Sequence, residues 1–257
     1  MKNNIDICLS PLMLGLFDLS DRLVVVIDVF RATSAMCVFL NNGGESVKPV
    51  ASIEEALKYK FSKKYHQSYL VAAERNGEIV SGFDLGNSPL LYKDKNFKGV
   101  SLAITTTNGT LAIKKAKDTC KDMILASFLN ATAVVEYIIA SNIGNVLIVC
   151  SGWKGRFCME DVLLSGLLTD KLLSSEKFNS NSDSVLLASN MYGLAKNDIF
   201  NFLSLSSYVQ RMNLTDDIKF CLQTDIMSVV PVWSYCHDKK IRDCFTLTKK
   251  KLTSMTS

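Results

Sequence analysis

Leu23-Val24-Val25-Val26-Ile27, followed at once by Asp28, decides how the chain is read. The run is continuous, apolar and mostly β-branched, which is the pattern of a strand covered on both faces in a parallel sheet. Working outward, Arg31 to Leu40 reads as a helix closed by Asn41-Asn42-Gly43-Gly44. Ser46 to Val50 is a short strand, and Ser52 with Glu55 forms a capping box that opens a helix over Ile53 to Lys60. Strands are predicted at Tyr69 to Ala73, Ser101 to Thr105, Met123 to Ala126 and Val146 to Cys150. Helices are predicted from Asn108-Gly109 through Lys117, from the cap Asn130 to about Ala140, and from Met159 to Leu172. Such alternation argues for an α/β fold with a parallel or mixed sheet and flanking helices.

Beyond Leu172, the polar stretch Ser174 to Ser182 is the candidate boundary, near 174–184, between two closely packed subdomains. Val185 to Leu194, Asp198 to Leu205 and Thr215 to Leu222 look helical, and Val229 to Tyr235 reads as a last strand. Residues 1–237 are then one catalytic unit, and 238–257 a basic C-terminal tail.

Composition sets the limits. The chain has 257 residues, 48% apolar and 21% charged, the balance of a globular protein. The most apolar long stretch, Ala131 to Val149, is broken by Glu136, Asn142, Gly144 and Asn145, which excludes a membrane span. No secretory signal is evident, and the expected location is the cytoplasm. None of the eight cysteines forms C-x-x-C, so reduced buried thiols are expected. Only two histidines are present, His66 and His237, which argues against zinc and against Ser-His-Asp chemistry. The net charge of +4 excludes a nucleic-acid coat. It also has an address: residues 238–257 hold six basic and two acidic residues, so the rest of the chain balances. Anion binding must therefore come from a local arrangement.

The strands end in polar clusters, and ligands of open α/β sheets bind outside the carboxyl ends of strands. Asp28, Glu74, Asp84, Glu160 and Asp161 supply carboxylates, of which two or three can hold a hard cation such as Mg²⁺. Arg31, Arg75 and Arg156 are fork donors for phosphate, sulfonate or carboxylate. Thr105 to Thr110, including Thr106, Thr107 and Asn108, together with Asn130 and Ser151-Gly152, add hydroxyls, amides and backbone N–H groups near helix starts. The combination suits phosphate-ester chemistry on a small anionic substrate. A rival lies in Cys150-x5-Arg156, the spacing of thiol phosphatases, in which a low-pKa thiolate attacks phosphorus. A non-catalytic anion-binding protein would carry the same clusters.

Six stretches, in this order, resemble the 2-phosphosulfolactate phosphatase (ComB) family of coenzyme M biosynthesis. They are VVVIDVFRATSAMCVFLNNGGESVKPV (Val24 to Val50), AAERNG (Ala72 to Gly77), GFDLGNSP (Gly82 to Pro89), TTTNGT (Thr105 to Thr110), SFLNATAV (Ser127 to Val134) and CSGWKGRFCMEDVLLSGLL (Cys150 to Leu168). The C-terminal third is similar only loosely, through LTDDIKFCLQTDIMSVVPV, and Ser206 to Arg211 departs from the family pattern and supplies no candidate. The resemblance implies a two-subdomain ComB-like fold and a homo-oligomer, a dimer. It also implies Mg²⁺-dependent hydrolysis of (R)-2-phospho-3-sulfolactate to sulfolactate and phosphate. On the residue types, Asp28 with one or two of Glu74, Glu160 and Asp161 holds the metal. Arg31, Arg156 and the Thr105 to Asn108 amides bind the anionic groups, and Asp84 or Asp161 is the general acid or base.

Overall fold

The computed structural model describes residues 3–61, 68–75, 77–106, 108–212, 214–234 and 243–247. Among them are eleven strands: β1 (Asn3–Cys8), β2 (Arg22–Ile27), β3 (Ser46–Pro49), β4 (Ser68–Arg75), β5 (Glu78–Ile79), β6 (Val100–Thr105), β7 (Asp122–Ala126), β8 (Asn145–Cys150), β9 (Phe178–Asn179), β10 (Pro231–Ser234) and β11 (Cys244–Leu247). The helices are α1 (Ala32–Asn41), α2 (Ile53–Phe61), α3 (Gly109–Ala116), α4 (Ala131–Ser141), α5 (Met159–Ser174), α6 (Asp183–Ala195), α7 (Ile199–Phe202), α8 (Ser207–Arg211) and α9 (Thr215–Cys221). The strands join in one mixed sheet of order β5-β4-β6-β3-β11-β10-β7-β2-β8-β1-β9. The protein is α/β, with helices on both faces.

Two parallel blocks, β4-β6-β3 and β7-β2-β8-β1-β9, are joined by the antiparallel pair β10 and β11. The deciding run behaves as its composition requires. Leu23 to Ile27 are wholly buried, and they alternate between two cores. Leu23, Val25 and Ile27 pack with residues of α4, α5 and α6, while Val24 and Val26 face α1 and α3. A third, smaller cluster lies where Ala56 of α2 meets Val71 and Ala103. The parallel register brings the ends of β2, β7 and β8 level: Ile27 pairs with both Ala126 and Cys150, and the Ser151 amide donates to the Ile27 carbonyl at 2.8 Å. After β6, α3 packs against β2, which carries Asn108 and Gly109 to the same edge.

The sheet adds a strand in a segment left unassigned from sequence and corrects two readings. Asn3–Cys8 is a strand pairing with β8 and β9, although Asn3, Asn4 and Asp6 disguise it. Asp6 is paired with Arg22 at 2.6 Å, which offsets the cost of a carboxylate beside the core. The stretch read as the last strand, Val229 to Tyr235, does hold one, β10 (Pro231–Ser234), but a further strand follows it. Cys244–Leu247, inside the segment read as a basic tail, forms β11 between β10 and β3. Phe245 is buried there and packs edge-on against Trp233, with ring centroids 4.9 Å apart. Its apolar side chains carry it into the sheet despite the charged flanks. Within the polar stretch after α5, Phe178 is buried and extends the sheet beside β1. No described helix is long and apolar enough to cross a membrane.

Candidate active site

The loop after β2 winds tightly round Asp28. The Asp28 amide donates to Thr33 Oγ1 at 3.1 Å, Thr33 Oγ1 returns a bond to the Asp28 carbonyl at 2.9 Å, and the Ala32 amide donates to Asp28 Oδ1 at 3.3 Å. The Gly109 amide also bonds the Asp28 carboxylate. The side chain is therefore fixed in direction at the carboxyl end of β2.

Asp161, in the first turn of α5, braces the neighbouring strand ends. Its Oδ1 accepts from the Val29 amide and its Oδ2 from the Gly152 amide, both at 2.9 Å. Glu160 lies beside it and is equally buried. Three carboxylates thus share one buried region, and their charges oppose one another. Burial first, and then the charge of Glu74, pushes Asp28 up to about 6, against the bonds from Ala32 and Gly109. Burial, with Asp28 adding to it, pushes Glu160 up to about 7. Asp161 is raised by burial, then by Glu160 and Asp28.

The sequence candidates fall into three groups. Asp28, Glu160 and Asp161 come together, with Glu74 within range of Asp28. Glu74 also accepts from the Gly77 amide at 2.8 Å. A second group is engaged in building the scaffold. Asp84 bonds Lys60 at 2.7 Å and the Val71 amide at 2.9 Å, tying α2 to β4. Asn130, fully buried, accepts from the Ser127 amide and hydroxyl and donates to the Val229 carbonyl. Thr106 Oγ1 accepts from the Thr110 amide, and Asn108 Oδ1 accepts from the Lys154 amide at 3.2 Å. The amides of Leu111 and Ala112 go to the Asn108 carbonyl, so the first turn of α3 is bonded within the protein. Thr107 lies outside the described residues.

The third group is cationic. Arg31 is buried and donates to Asp217 at 2.7 Å, leaving its Nε without a partner among the described residues. Ser88 Oγ donates to the other Asp217 oxygen at 2.5 Å. Arg75 is exposed and bonds the Glu74 carbonyl, with its charge felt at Glu54. Arg156 is exposed and closes a tight turn with Trp153, whose two central residues, Lys154 and Gly155, have positive φ. Ser151 is buried, with a hydroxyl that has no partner among the described residues.

The Cys150 thiol gives the thiolate mechanism no support. It is fully buried, and burial and Asp161 push its pKa well up, away from the thiolate form. Sequence reasoning also missed residues of the site. Asp217 was visible in LTDDIKF, where a paired acid opens α9. Tyr208 stacks on Phe30, with centroids 5.0 Å apart, and its hydroxyl feels the charges of Arg31, Asp28 and Glu160. Cys158 is half-buried and hydrogen-bonded to Glu160.

A mixed α/β sheet with acids gathered at its strand ends, and cations round them, is the setting of a phosphoric monoester hydrolase. Residues 10–235 match the 2-phosphosulpholactate phosphatase family. Three relatives bear the name "probable 2-phosphosulfolactate phosphatase". That of Caldanaerobacter subterraneus subsp. tengcongensis is 40% identical over 83% of this chain and 88% of its own. The Thermotoga maritima protein is 39% identical over 82% and 88%, and the Clostridium tetani protein 37% identical over 89% and 96%. This chain belongs to the 2-phosphosulfolactate phosphatase family.

Proposed function

We propose that the protein hydrolyses 2-phosphosulfolactate to sulfolactate and phosphate with the aid of Mg²⁺. The observation that carries this reading is the crowding of Asp28, Glu160 and Asp161 in one buried region, each destabilised as an anion first by burial and then by a neighbouring carboxylate: Glu74 for Asp28, Asp28 for Glu160, and Glu160 with Asp28 for Asp161. Such a donor set fits a hard divalent cation, which offsets the repulsion. Asp28, Glu160 and Glu74 are the candidate ligands, and Asp161, whose two oxygens each accept an amide from a different loop, is the brace that holds them in place. Among the described residues no three or more His, Cys, Asp and Glu side chains converge closely enough to hold a metal ion between them, so the described residues offer it at most two. Mg²⁺ commonly takes one or two carboxylates and completes its shell with waters and substrate phosphate.

When bound, the metal supplies Lewis-acid stabilisation of charge on the phosphoryl oxygens, worth several kcal/mol. The protein does the rest. Asp161 fixes the β2 and β8 loops against each other, so the acids keep their spacing. Whichever of Asp28 and Glu160 is not engaged as an anion has a pKa near neutrality and can hold or pass a proton at a carboxyl oxygen. Arg31, held by Asp217 beside Asp28, directs positive charge at the same place, and Arg156, exposed on the neighbouring turn, is the second candidate for the anionic groups.

Phosphate release from (R)-2-phospho-3-sulfolactate, with Mg²⁺ and with EDTA, tests the reading. Turnover that EDTA abolishes and Mg²⁺ restores is the expected result. No release over a panel of phosphorylated 2-hydroxy acids overturns the activity, and release that persists in EDTA overturns the metal.

A further inference from the structure

The five-residue helix α8 forms a wall of the site. Tyr208 packs on Phe30, and the Arg211 guanidinium carbon lies 3.9 Å above the centre of the Trp153 ring. Lys154 Nζ lies 4.5 Å from the centre of the same ring. Trp153 is itself fixed, because its amide and carbonyl pair with Arg156 across the tight turn, while the Gly152 amide is held by Asp161. Trp153 therefore connects the acid cluster rigidly to an outer pair of cations, and the Arg211 charge is felt at Glu160.

These cations differ from Arg31. Arg31 is neutralised by a buried carboxylate, whereas among the described residues Arg211 has no hydrogen bond or ion pair to its guanidinium. Its N–H edge is left free while its face rests on indole. An indole face costs a guanidinium none of its in-plane donors, so stacking orients the fork without occupying it. The metal site, by contrast, is a centre of negative charge that only the phosphoryl end of a substrate can approach through a cation. The remaining anionic groups need positive charge elsewhere.

We propose that Arg211, seated on Trp153 with Lys154 at the same ring, is the subsite for the substrate's sulfonate. This rests on the phosphatase reading. The guanidinium is the more weakly hydrated of the two cations and presents parallel donors to a planar pair of oxygens. A sulfonate offers such a pair and stays charged at every working pH. Arg211 is thus a specificity-determining residue, and it contributes to binding more than to the chemical step.

The test compares wild type, Arg211→Gln and Arg211→Lys on 2-phosphosulfolactate and on 2-phospholactate, which lacks the sulfonate. Arg211→Gln should raise KM for 2-phosphosulfolactate about tenfold or more, the loss of one charge-assisted pair, with kcat within about threefold. Arg211→Lys should recover part of it, and 2-phospholactate should be nearly indifferent to both changes. An equal rise for the two substrates, or a fall in kcat at constant KM, overturns the assignment. If wild type turns over neither compound, the phosphatase reading fails separately, and sulfolactate binding then decides the subsite. Trp153 and Trp233 are the only tryptophans, so Trp233→Phe leaves Trp153 fluorescence as reporter. Weaker sulfolactate quenching in the added Arg211→Gln background supports the subsite, and unchanged quenching sinks it.

Discussion

Asp28 Oδ2 stands 2.8 Å from the point a β-carbon on Gly109 would occupy, and Thr106 Oγ1 stands 3.3 Å from it. The glycine of TTTNGT therefore serves close approach: it lets the start of α3 reach the carboxylate that ends β2. Gly109→Ala should displace Asp28 and lower kcat/KM by about a hundredfold or more, since small misplacements at a reacting centre have that effect. The overpacking itself costs on the order of 1–3 kcal/mol. Steady-state kinetics beside urea denaturation separates the two, and an alanine variant of near-normal activity would show that Asp28 needs no fixed position.

The Arg31–Asp217 pair should be far costlier to halve than to remove. Both groups are buried, and Ser88 completes the acceptor set of Asp217. Asp217→Ala leaves an uncompensated guanidinium and should cost about 3–5 kcal/mol. Arg31→Met with Asp217→Leu should cost less than that single change, while activity falls because the charge beside Asp28 is gone. A single variant costing under about 1 kcal/mol in urea would mean that water reaches Arg31.

The fold was legible where burial is total on both faces. Leu23 to Ile27 needs no partner to be recognised, because no other element tolerates such a run ended by Asp28. It was illegible where tertiary contacts cancel polarity. Asp6 hides β1 until Arg22 is seen beside it, and basic flanks hide β11 until Phe245 is found against Trp233. The site followed the same rule. Asp28, Glu160 and Asp161 announce themselves at strand and helix ends, but residue type alone could not separate Asp84 or Asn130, which hold the scaffold, from residues that face the site. Tyr208 and Arg211 lie more than forty residues along the chain from Trp153 and Glu160, on a segment with no familiar motif, and only packing brings them in.

Cys150→Ser should leave turnover within a few-fold of wild type. The thiol is buried at the end of β8 and its pKa is pushed well up by burial and by Asp161, so it is a packing group at neutral pH. The hydroxyl costs on the order of 1–3 kcal/mol in that position, visible as a lower Tm. Abolished phosphate release in a variant that still melts cooperatively would restore the thiolate mechanism.

The acid cluster ties stability to pH and to metal with a definite sign. Asp28 and Glu160 have folded pKa values raised to about 6 and about 7 from 3.8 and 4.5. An acid raised on folding binds more protons folded than unfolded between its two values, so its contribution is best at low pH and falls as pH rises through that window. The metal-free protein should therefore lose stability between about pH 4 and pH 7, on the order of 3 kcal/mol from Asp28 alone. Mg²⁺ needs the ionised carboxylates, so its stabilisation should grow over the same range. Melting in EDTA and in Mg²⁺ at pH 5 and pH 7.5 checks both: the two curves should nearly coincide at the lower pH and separate at the higher. In the variant Asp28→Asn the EDTA curve should flatten and the separation shrink. Equal Mg²⁺ stabilisation at both pH values would remove these carboxylates from the metal site.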